Sequence, residues 1–355
     1  MPHKKDSVLD KASQKASEAV SKTIAATILA IFNERSVQHS ETLADDAVLK
    51  ITIPRAKMIQ QILTRVSLDV TTGASTPTYT EDSVHAIIQK IELLGDGGEV
   101  IRSSTGSLHF FIEKTEKGTP PENVGLPTAT TTTAKGFVTF IMDFRKDRND
   151  EKDISALLPA RRFDELVLQI TLGKAADIAS ANAPTINWAD SSVDVDIIEV
   201  SGSGIFNTNF ADIREAYKEV TMSAAKVTFD SDDNQDNVLP TGTQILAQGL
   251  LAIDNSVRSD AIITDVMLKR SSPITDEIFK RNFNRLQQEN RVNYKIATMV
   301  TGFLWIDYKR KLNRALDRKS LIQGLEPKAG DVVLHTLNGS VTATSKYFLF
   351  TRWIV

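Results

Sequence analysis

The feature of this sequence that most constrains its fold is that the second half repeats the first. Four short apolar segments recur in the same order, and the last three recur at offsets of 175, 164 and 166 residues. One match alone would mean little, because apolar strands resemble one another in composition, but four matches in one order indicate a duplicated domain. The matched segments are 53–54 with 239–240, 86–93 with 261–268, 140–144 with 304–308, and 165–168 with 331–334.

The repeated segments have the period-two pattern of β-strands. Apolar residues alternate with polar ones over 64–70, and again over 193–197. Segment 137–144 is apolar on both faces, so we expect it to lie in the centre of a sheet and to be covered on both sides. The connections between segments are rich in Gly, Pro, Thr, Asn and Asp, which is typical of turns.

The length of each copy and its strand pattern together predict the fold class. Each copy has room for about eight strands of ordinary length and one helix. Antiparallel strands in that number must hide their edges, and a two-sheet jelly roll does so. We therefore expect an all-β chain of two tandem eight-stranded jelly-roll β-barrels with short helices in loops. The predicted boundaries are 1–45 for an N-terminal helical arm, 46–205 for the first jelly roll and 206–355 for the second.

Helices are predicted at one corresponding position in each half. They cover 107–114 in the first half and 276–290 in the second. In the second helix, Phe279, Phe283 and Leu286 form an apolar stripe, and Thr275 or Asp276 would cap the N-terminus.

The N-terminal arm differs from the rest of the chain, because residues 6–35 are rich in Ala, Lys, Glu and Ser and have helical spacing. One amphipathic helix is predicted there. It would pack on its own domain, or it would reach a neighbouring subunit or a membrane surface. Its apolar positions are Val8, Leu9, Val20, Ile24, Leu29 and Phe32.

No motif typical of an enzyme occurs in the sequence. Cysteine is absent, which excludes disulfides and thiol nucleophiles. HExxH, a Walker A loop and a GxSxG elbow are also absent, and Gly202-Ser203-Gly204 indicates a flexible connection. We therefore predict no enzyme, no catalytic, cofactor-binding or metal residues, and no cofactor. The five histidines, none at metal-ligand spacing, are His3, His39, His85, His109 and His335.

An acidic cluster is the one candidate for a cation site in the sequence. Asp230, Asp232, Asp233 and Asp236 offer the oxygen ligands that calcium prefers, but the segment lacks the glycine and terminal glutamate of an EF-hand. A solvated loop is the alternative.

Charge is distributed unevenly along the chain. The net charge of -3 argues against a general nucleic-acid binder. Residues 185–236 carry 11 acids against 3 Lys/Arg, whereas residues 269–319 carry 13 Lys/Arg against 5 acids. These patches would meet across a subunit contact, pair within one chain, or stay solvated. The basic stretch lacks regularly interleaved aromatics, so no specific nucleic-acid partner is predicted.

The order and spacing of these elements resemble the double jelly-roll major capsid proteins of tailless icosahedral viruses of the adenovirus lineage, which include lipid-containing phages and archaeal viruses. The resemblance covers roughly residues 45–355. It rests on the strand-opening Ile53-Pro54 and Leu239-Pro240, the strands at Ala86 and Ala261, and the helices before Phe140 and Leu304.

The resemblance implies a function in self-assembly. It implies a homotrimer that forms a pseudo-hexagonal capsomer, contacts with neighbouring capsomers and with minor capsid or vertex proteins, and an N-terminal segment that faces an internal viral membrane. It also implies assembly in the host cytoplasm and a location in the virion.

Two other functions stay open from the sequence. A carbohydrate-binding or carbohydrate-active double β-sandwich protein would need an aromatic-lined cleft. The chain has only three tryptophans, Trp188, Trp305 and Trp353, and Trp305 lies in a repeated strand where we expect it in the core. A minor capsid, spike or vertex protein is the other alternative, although the near-equal halves favour a tile of the shell.

Overall fold

The computed structural model describes residues 32–37, 42–80, 82–117, 123–145, 157–200, 217–224, 235–242, 244–255, 257–270, 276–308, 325 and 332–354. The strands of the first half are β1 (Phe32–Val37), β2 (Val48–Thr52), β3 (Met58–Thr71), β4 (Thr78–Tyr79), β5 (Ile88–Gly95), β6 (Glu99–Ser104), β7 (Asn123–Val124), β8 (Thr133–Asp143), β9 (Leu166–Leu172), β10 (Ala179–Ala181), β11 (Thr185–Ile186) and β12 (Ser192–Val200). Those of the second half are β13 (Tyr217–Ala224), β14 (Gln235–Val238), β15 (Gln244–Asp254), β16 (Val257–Arg258), β17 (Ile263–Arg270), β18 (Asp276–Asn282), β19 (Phe303–Asp307), β20 (Val332–Asn338) and β21 (Lys346–Ile354).

Three α-helices and three 3₁₀ turns lie in the described loops. The α-helices are α1 (Gly106–Lys117), α2 (Ala175–Ile178) and α3 (Phe283–Tyr294). The 3₁₀ turns are Ser83–Ile87, Ala160–Arg162 and Trp188–Asp190.

The first half folds into a barrel of two antiparallel sheets. One sheet, named the β3 sheet, has the order β1-β12-β3-β8, and the other, the β5 sheet, has the order β6-β5-β9-β2. Counted along the chain, these eight strands alternate between the sheets except at β5 and β6, which are consecutive and pair as a hairpin in one sheet. This is the connectivity of a jelly roll.

The second half repeats this topology strand for strand. Its β15 sheet has the order β13-β21-β15-β19, and its β17 sheet has the order β18-β17-β20-β14. Each strand occupies the same place in its sheet as its counterpart in the first barrel. The predicted duplication and the predicted pair of eight-stranded jelly rolls are therefore confirmed within the described residues.

Period-two alternation gives each barrel its own core. Val66, Leu68 and Val70 are buried inside the first barrel, as are Val193 and Val195 on the neighbouring β12. A second, separate cluster fills the second barrel between its two sheets. Each half thus has an apolar core of its own.

The two barrels are joined edge to edge. Strand β13 of the second barrel lies parallel to β6 of the first, with Glu219 opposite Arg102. This pairing makes the β5 sheet and the β15 sheet one continuous sheet. The edge of β6 and the edge of β13 are thereby removed from solvent exposure.

Three predicted boundaries were wrong. The predicted helix over 276–290 begins only at Phe283, because residues 276–282 pair with β17 as β18; its N-cap is Asn282, whose side chain accepts a hydrogen bond from the Asn284 amide. The predicted strand over 86–93 begins only at Ile88, after a 3₁₀ turn. The predicted N-terminal helix falls mostly outside the described residues, but residues 32–35 belong to β1, which pairs with β12.

The expected double coverage of segment 137–144 was also wrong. Its inward side chains, such as Phe140 and Met142, are buried in the core. Phe137 and Ile141 point away from that core and are only half-buried. No described element lies over this outer face of the β3 sheet, so its apolar side chains remain partly in contact with water.

Replacing a buried aromatic residue tests the assigned core of the first barrel. Phe140→Ala removes a side chain that is 1% exposed, and we expect the free energy of unfolding to fall by about 3–5 kcal/mol because a cavity remains. Denaturant unfolding measures this change. Val48→Ala, at a position 48% exposed, is the control and should alter stability by about 0.5 kcal/mol or less. Equal losses in both variants would contradict the assigned core.

Candidate functional site

The junction between the barrels combines a buried apolar cluster, ion pairs and a cleft. Helix α1 follows β6 and lies against the outer face of the β15 sheet, the face turned away from the second barrel's own core. The two elements form a third buried cluster that is separate from both barrel cores. Its members are Leu108, Phe110, Phe111 and Ile112 of α1 with Ala247, Leu251, Val300, Phe303, Trp305 and Phe350.

This role of α1 was missed in the sequence, although a signal was present. The run Leu108-His109-Phe110-Phe111-Ile112 places apolar or aromatic side chains on nearly every side of the helix. A helix that is apolar all round must be buried on more than one side. Here one side packs on the first barrel, where the His109 ring lies 5.9 Å from that of Phe140, and the other side packs on the second.

Ion pairs cross the same junction. The Arg258 guanidinium of the second barrel pairs with the Asp82 carboxylate of the first and lies 4.9 Å from the Phe111 ring centroid. Near the C-terminal end of α1, Glu116 pairs with Arg352. Charge pairs that are partly buried, as these are, add little net stability, but breaking one is costly. They therefore fix the position of one barrel against the other.

A cleft of about 400 Å³ opens at this junction, between the 3₁₀ turn Ser83–Ile87, α1 and the second barrel. Lys114 and Arg258 contribute its cations and Asp82 its carboxylate, and His85 also lines the cleft. Two cations therefore face one carboxylate in this cleft. Burial, followed by the charge of Arg258, lowers the pKa of Lys114 and so disfavours its charged form.

His85 is a structural residue in this cleft. Its ring is buried, lies 3.7 Å from the Phe110 ring centroid, and places Nδ1 3.0 Å from the backbone oxygen of Asp82. Burial is the main reason that its pKa is lowered from 6.5 to about 4, and Arg258 and Lys114 lower it further. The imidazole is therefore neutral near pH 7 and does not share the positive charge of its neighbours.

The other histidines do not form a site with His85. His109 is buried and its Nε2 lies 2.9 Å from the Ile141 carbonyl oxygen, while the backbone of His335 belongs to β20. His3 and His39 lie outside the described residues.

The acidic cluster is described at one position only. Asp236 lies exposed in β14, and its Oδ2 is 3.0 Å from Lys269 Nζ. Asp230, Asp232 and Asp233 lie outside the described residues, as does the Gly202-Ser203-Gly204 connection. Among the residues that are described, no group of three or more His, Asp or Glu side chains is placed to hold a metal ion.

The tryptophans do not line a common cleft. Trp305 is fully buried, as expected, but it lies under α1 at the junction and not inside the second barrel. Trp188 donates a hydrogen bond from Nε1 to Asp45 Oδ1 at 2.9 Å, and Trp353 belongs to β21. The arrangement therefore gives no support to an aromatic carbohydrate site.

Comparisons with solved structures identify the architecture. The crystal structure of the STIV major capsid protein matches with a TM-score of 0.73 at 15% identity, covering 91% of this chain and 96% of that one. A chain from the atomic structure of Sulfolobus turreted icosahedral virus matches with a TM-score of 0.67 at 15% identity, covering 92% and 91%. The chain has the double jelly-roll fold.

A third double jelly roll shows how far this similarity extends. The major capsid protein of bacteriophage PM2 matches with a TM-score of 0.55 at 9% identity, covering 91% of this chain and 97% of that one. No protein-family model matches the sequence, and no curated protein matches it either. The double jelly roll is thus recognised by its topology over nearly the whole chain. In the part of the chain that is described, no helix is long and apolar enough to cross a membrane.

The neutral His85 predicts acid sensitivity of the junction. Between pH 6.5 and about 4 the unfolded chain binds a proton at this residue that the folded chain does not, so stability falls as the pH falls through this window. The full loss is on the order of 3 kcal/mol. We expect His85→Gln, which keeps a donor near Asp82, to flatten the pH dependence in denaturant unfolding at pH 4 to 7. An unchanged slope in the variant would contradict this assignment.

Proposed function

We propose that this protein is a viral major capsid protein. The observation that carries the proposal is the duplicated jelly-roll topology, which matches structures of major capsid proteins over at least nine-tenths of both chains. No enzymatic activity is proposed, since the junction cleft combines a neutral buried histidine with ion pairs that already hold the two barrels together. The alternative of a carbohydrate-binding protein has no supporting geometry, because the three tryptophans lie apart.

The proposed mechanism is self-association. Three chains would form a homotrimer in which six barrels make a pseudo-hexagonal capsomer, and capsomers would then form an icosahedral shell. Many modest contacts that are repeated by symmetry stabilise such a shell although each contact is weak. The continuous sheet and the shared apolar cluster at the junction support this function, because a subunit whose barrels moved independently could not hold a constant geometry around a ring.

Further parts of the proposal concern organisation and partners. We keep the division into an arm over 1–45 and jelly rolls over 46–205 and 206–355, with β1 of the arm adding its strand to the first barrel. The partners would be copies of the chain, minor capsid or vertex proteins, and an internal membrane that the N-terminal arm faces, with no specific nucleic acid. Assembly would take place in the host cytoplasm, and the final location would be the virion.

Mass measurement in solution tests the trimer. Size-exclusion chromatography with light scattering should give a particle of three times the chain mass, and negative-stain images should show pseudo-hexagonal outlines. A monomer at all concentrations that binds glycans on an array would contradict the capsid function and favour the carbohydrate-binding alternative.

The N-terminal arm is tested by a deletion that spares β1. Removing residues 1–31 keeps the strand that pairs with β12, so the barrels should retain their melting temperature. If the arm faces a membrane, the full chain should sediment with vesicles of anionic lipid and the truncated chain should not. Equal sedimentation of the two proteins would show that the arm does not contact lipid.

A further inference from the structure

The internal junction joins two different surfaces, and the duplication supplies a second copy of each. In the junction, β6 and α1 of the first barrel meet β13 and the outer face of the β15 sheet. The counterparts of β6 and α1 are β18 and α3 in the second barrel. The counterparts of β13 and the β15 sheet are β1 and the β3 sheet in the first. Within the described residues, no strand pairs with the free edge of β18 or with that of β1.

Strand registers show which helix residues correspond. Arg102 of β6 lies opposite Leu93, and Phe279 of β18 lies opposite Leu268, the residue that matches Leu93 in the duplication. Each helix begins four residues later, at Gly106 in α1 and at Phe283 in α3. The two helices therefore occupy the same place relative to their barrels.

Strand registers also show which residues correspond on the outer faces of the β15 sheet and the β3 sheet. In the second barrel, Phe303, Leu251 and Phe348 form one row across the β15 sheet. The corresponding row in the first barrel is Thr139, Arg65 and Asp194. The row of the second barrel is covered by α1 and is apolar, whereas the row of the first barrel is polar.

The uncovered outer face of the β3 sheet has the composition of an interface. Its centre consists of Leu63, Ile141 and Ile198, three apolar side chains that are only half-buried. Asp194 and Asp196 border this centre on β12, and neither forms an ion pair with any described residue. An apolar centre with a charged rim is typical of surfaces that bind another protein.

Helix α3 carries a cation whose charge is opposite to that of the two aspartates. The cation of the β3 sheet in the same row, Arg65, lies over the Phe137 ring, 3.9 Å from its centroid. Where α1 has Leu108 and Phe111, α3 has Arg285 and Gln288, both exposed. Arg285 forms no ion pair with a described residue. In the junction Phe111 packs on Phe303, with ring centroids 5.7 Å apart. Since Arg285 lies one helical turn from the counterpart of Phe111, the same docking would bring its guanidinium within reach of the row that contains Asp194.

We propose that α3 and the free edge of β18 dock on the outer face of the β3 sheet and on β1 of a second copy of this chain, repeating the internal junction with ionic chemistry in place of apolar chemistry. This inference rests on the proposed self-association and names its surfaces. The contact is head-to-tail, so it forms a ring where its rotation closes.

The difference in chemistry between the two contacts has a physical consequence. The internal junction forms once, as the chain folds, and its apolar surface never returns to water. The contact between copies must form from soluble subunits, whose exposed surfaces cannot carry a large apolar patch without aggregating. A polar contact is also screened by salt. Subunit association should therefore weaken with ionic strength, while the melting temperature of the free chain stays nearly constant.

Charge reversal on each surface tests the proposal. Arg285→Glu and Asp194→Arg should each raise the protein concentration at half-association at least about tenfold, measured by light scattering at low salt. The double variant again has opposite charges at the two positions, with the acid now on α3 and the base on β12. Its protein concentration at half-association should return to within about threefold of the wild-type value. Lys50→Glu, on β2 in the other sheet of the first barrel, is the matched control and should associate like the wild type.

The outcomes separate this inference from the proposed function. A wild-type chain that stays monomeric at every salt concentration overturns both. A wild-type chain that associates, with single variants that associate equally well while their circular dichroism is unchanged, overturns the interface alone. Should a single variant fail to fold, recovery of association in the double variant still supports the contact, and a folded double variant without recovery contradicts it.

Discussion

The packing of α1 between the two barrels is the contact on which the rest of the structure depends. Four consecutive or nearly consecutive apolar side chains of this helix fill the space between the first barrel and the outer face of the β15 sheet. Together with the parallel pairing of β6 and β13, they join the two barrels through a continuous sheet and a shared apolar cluster. Without this helix the barrels would be connected mainly by a strand edge and by the chain itself.

The polar contacts of the junction have a different role. Arg258 with Asp82 and Arg352 with Glu116 lie at its margins and link one barrel to the other. His85 is neutral because of burial and packs its ring on Phe110. Apolar burial thus supplies most of the free energy of the junction, and the charges supply its specificity.

The duplication relates this internal contact to assembly. Each barrel has two surfaces that can contact a neighbour. One is formed by an edge strand and the helix after it, as by β6 and α1 in the first barrel. The other is formed by the opposite edge strand and the outer face of its sheet, as by β13 and the β15 sheet in the second barrel. In one chain only one copy of each surface is used. The exposed copies carry polar residues where the internal copies carry apolar ones, as Arg285 in place of Leu108 and Asp194 in place of Phe348 show. This difference lets a subunit fold alone and still present both surfaces.

The sequence by itself determined the two barrels, because period-two alternation and the order of the repeats are local properties of the chain. It also predicted which side chains face inward on β3 and β12. It misplaced the start of α3 and the end of the N-terminal helix, since residues 276–282 and 32–35 become strands only by pairing with β17 and β12. Only the tertiary structure decided that α1 joins the barrels and that Ile141 stays half-exposed, because both depend on which surfaces distant segments bring together.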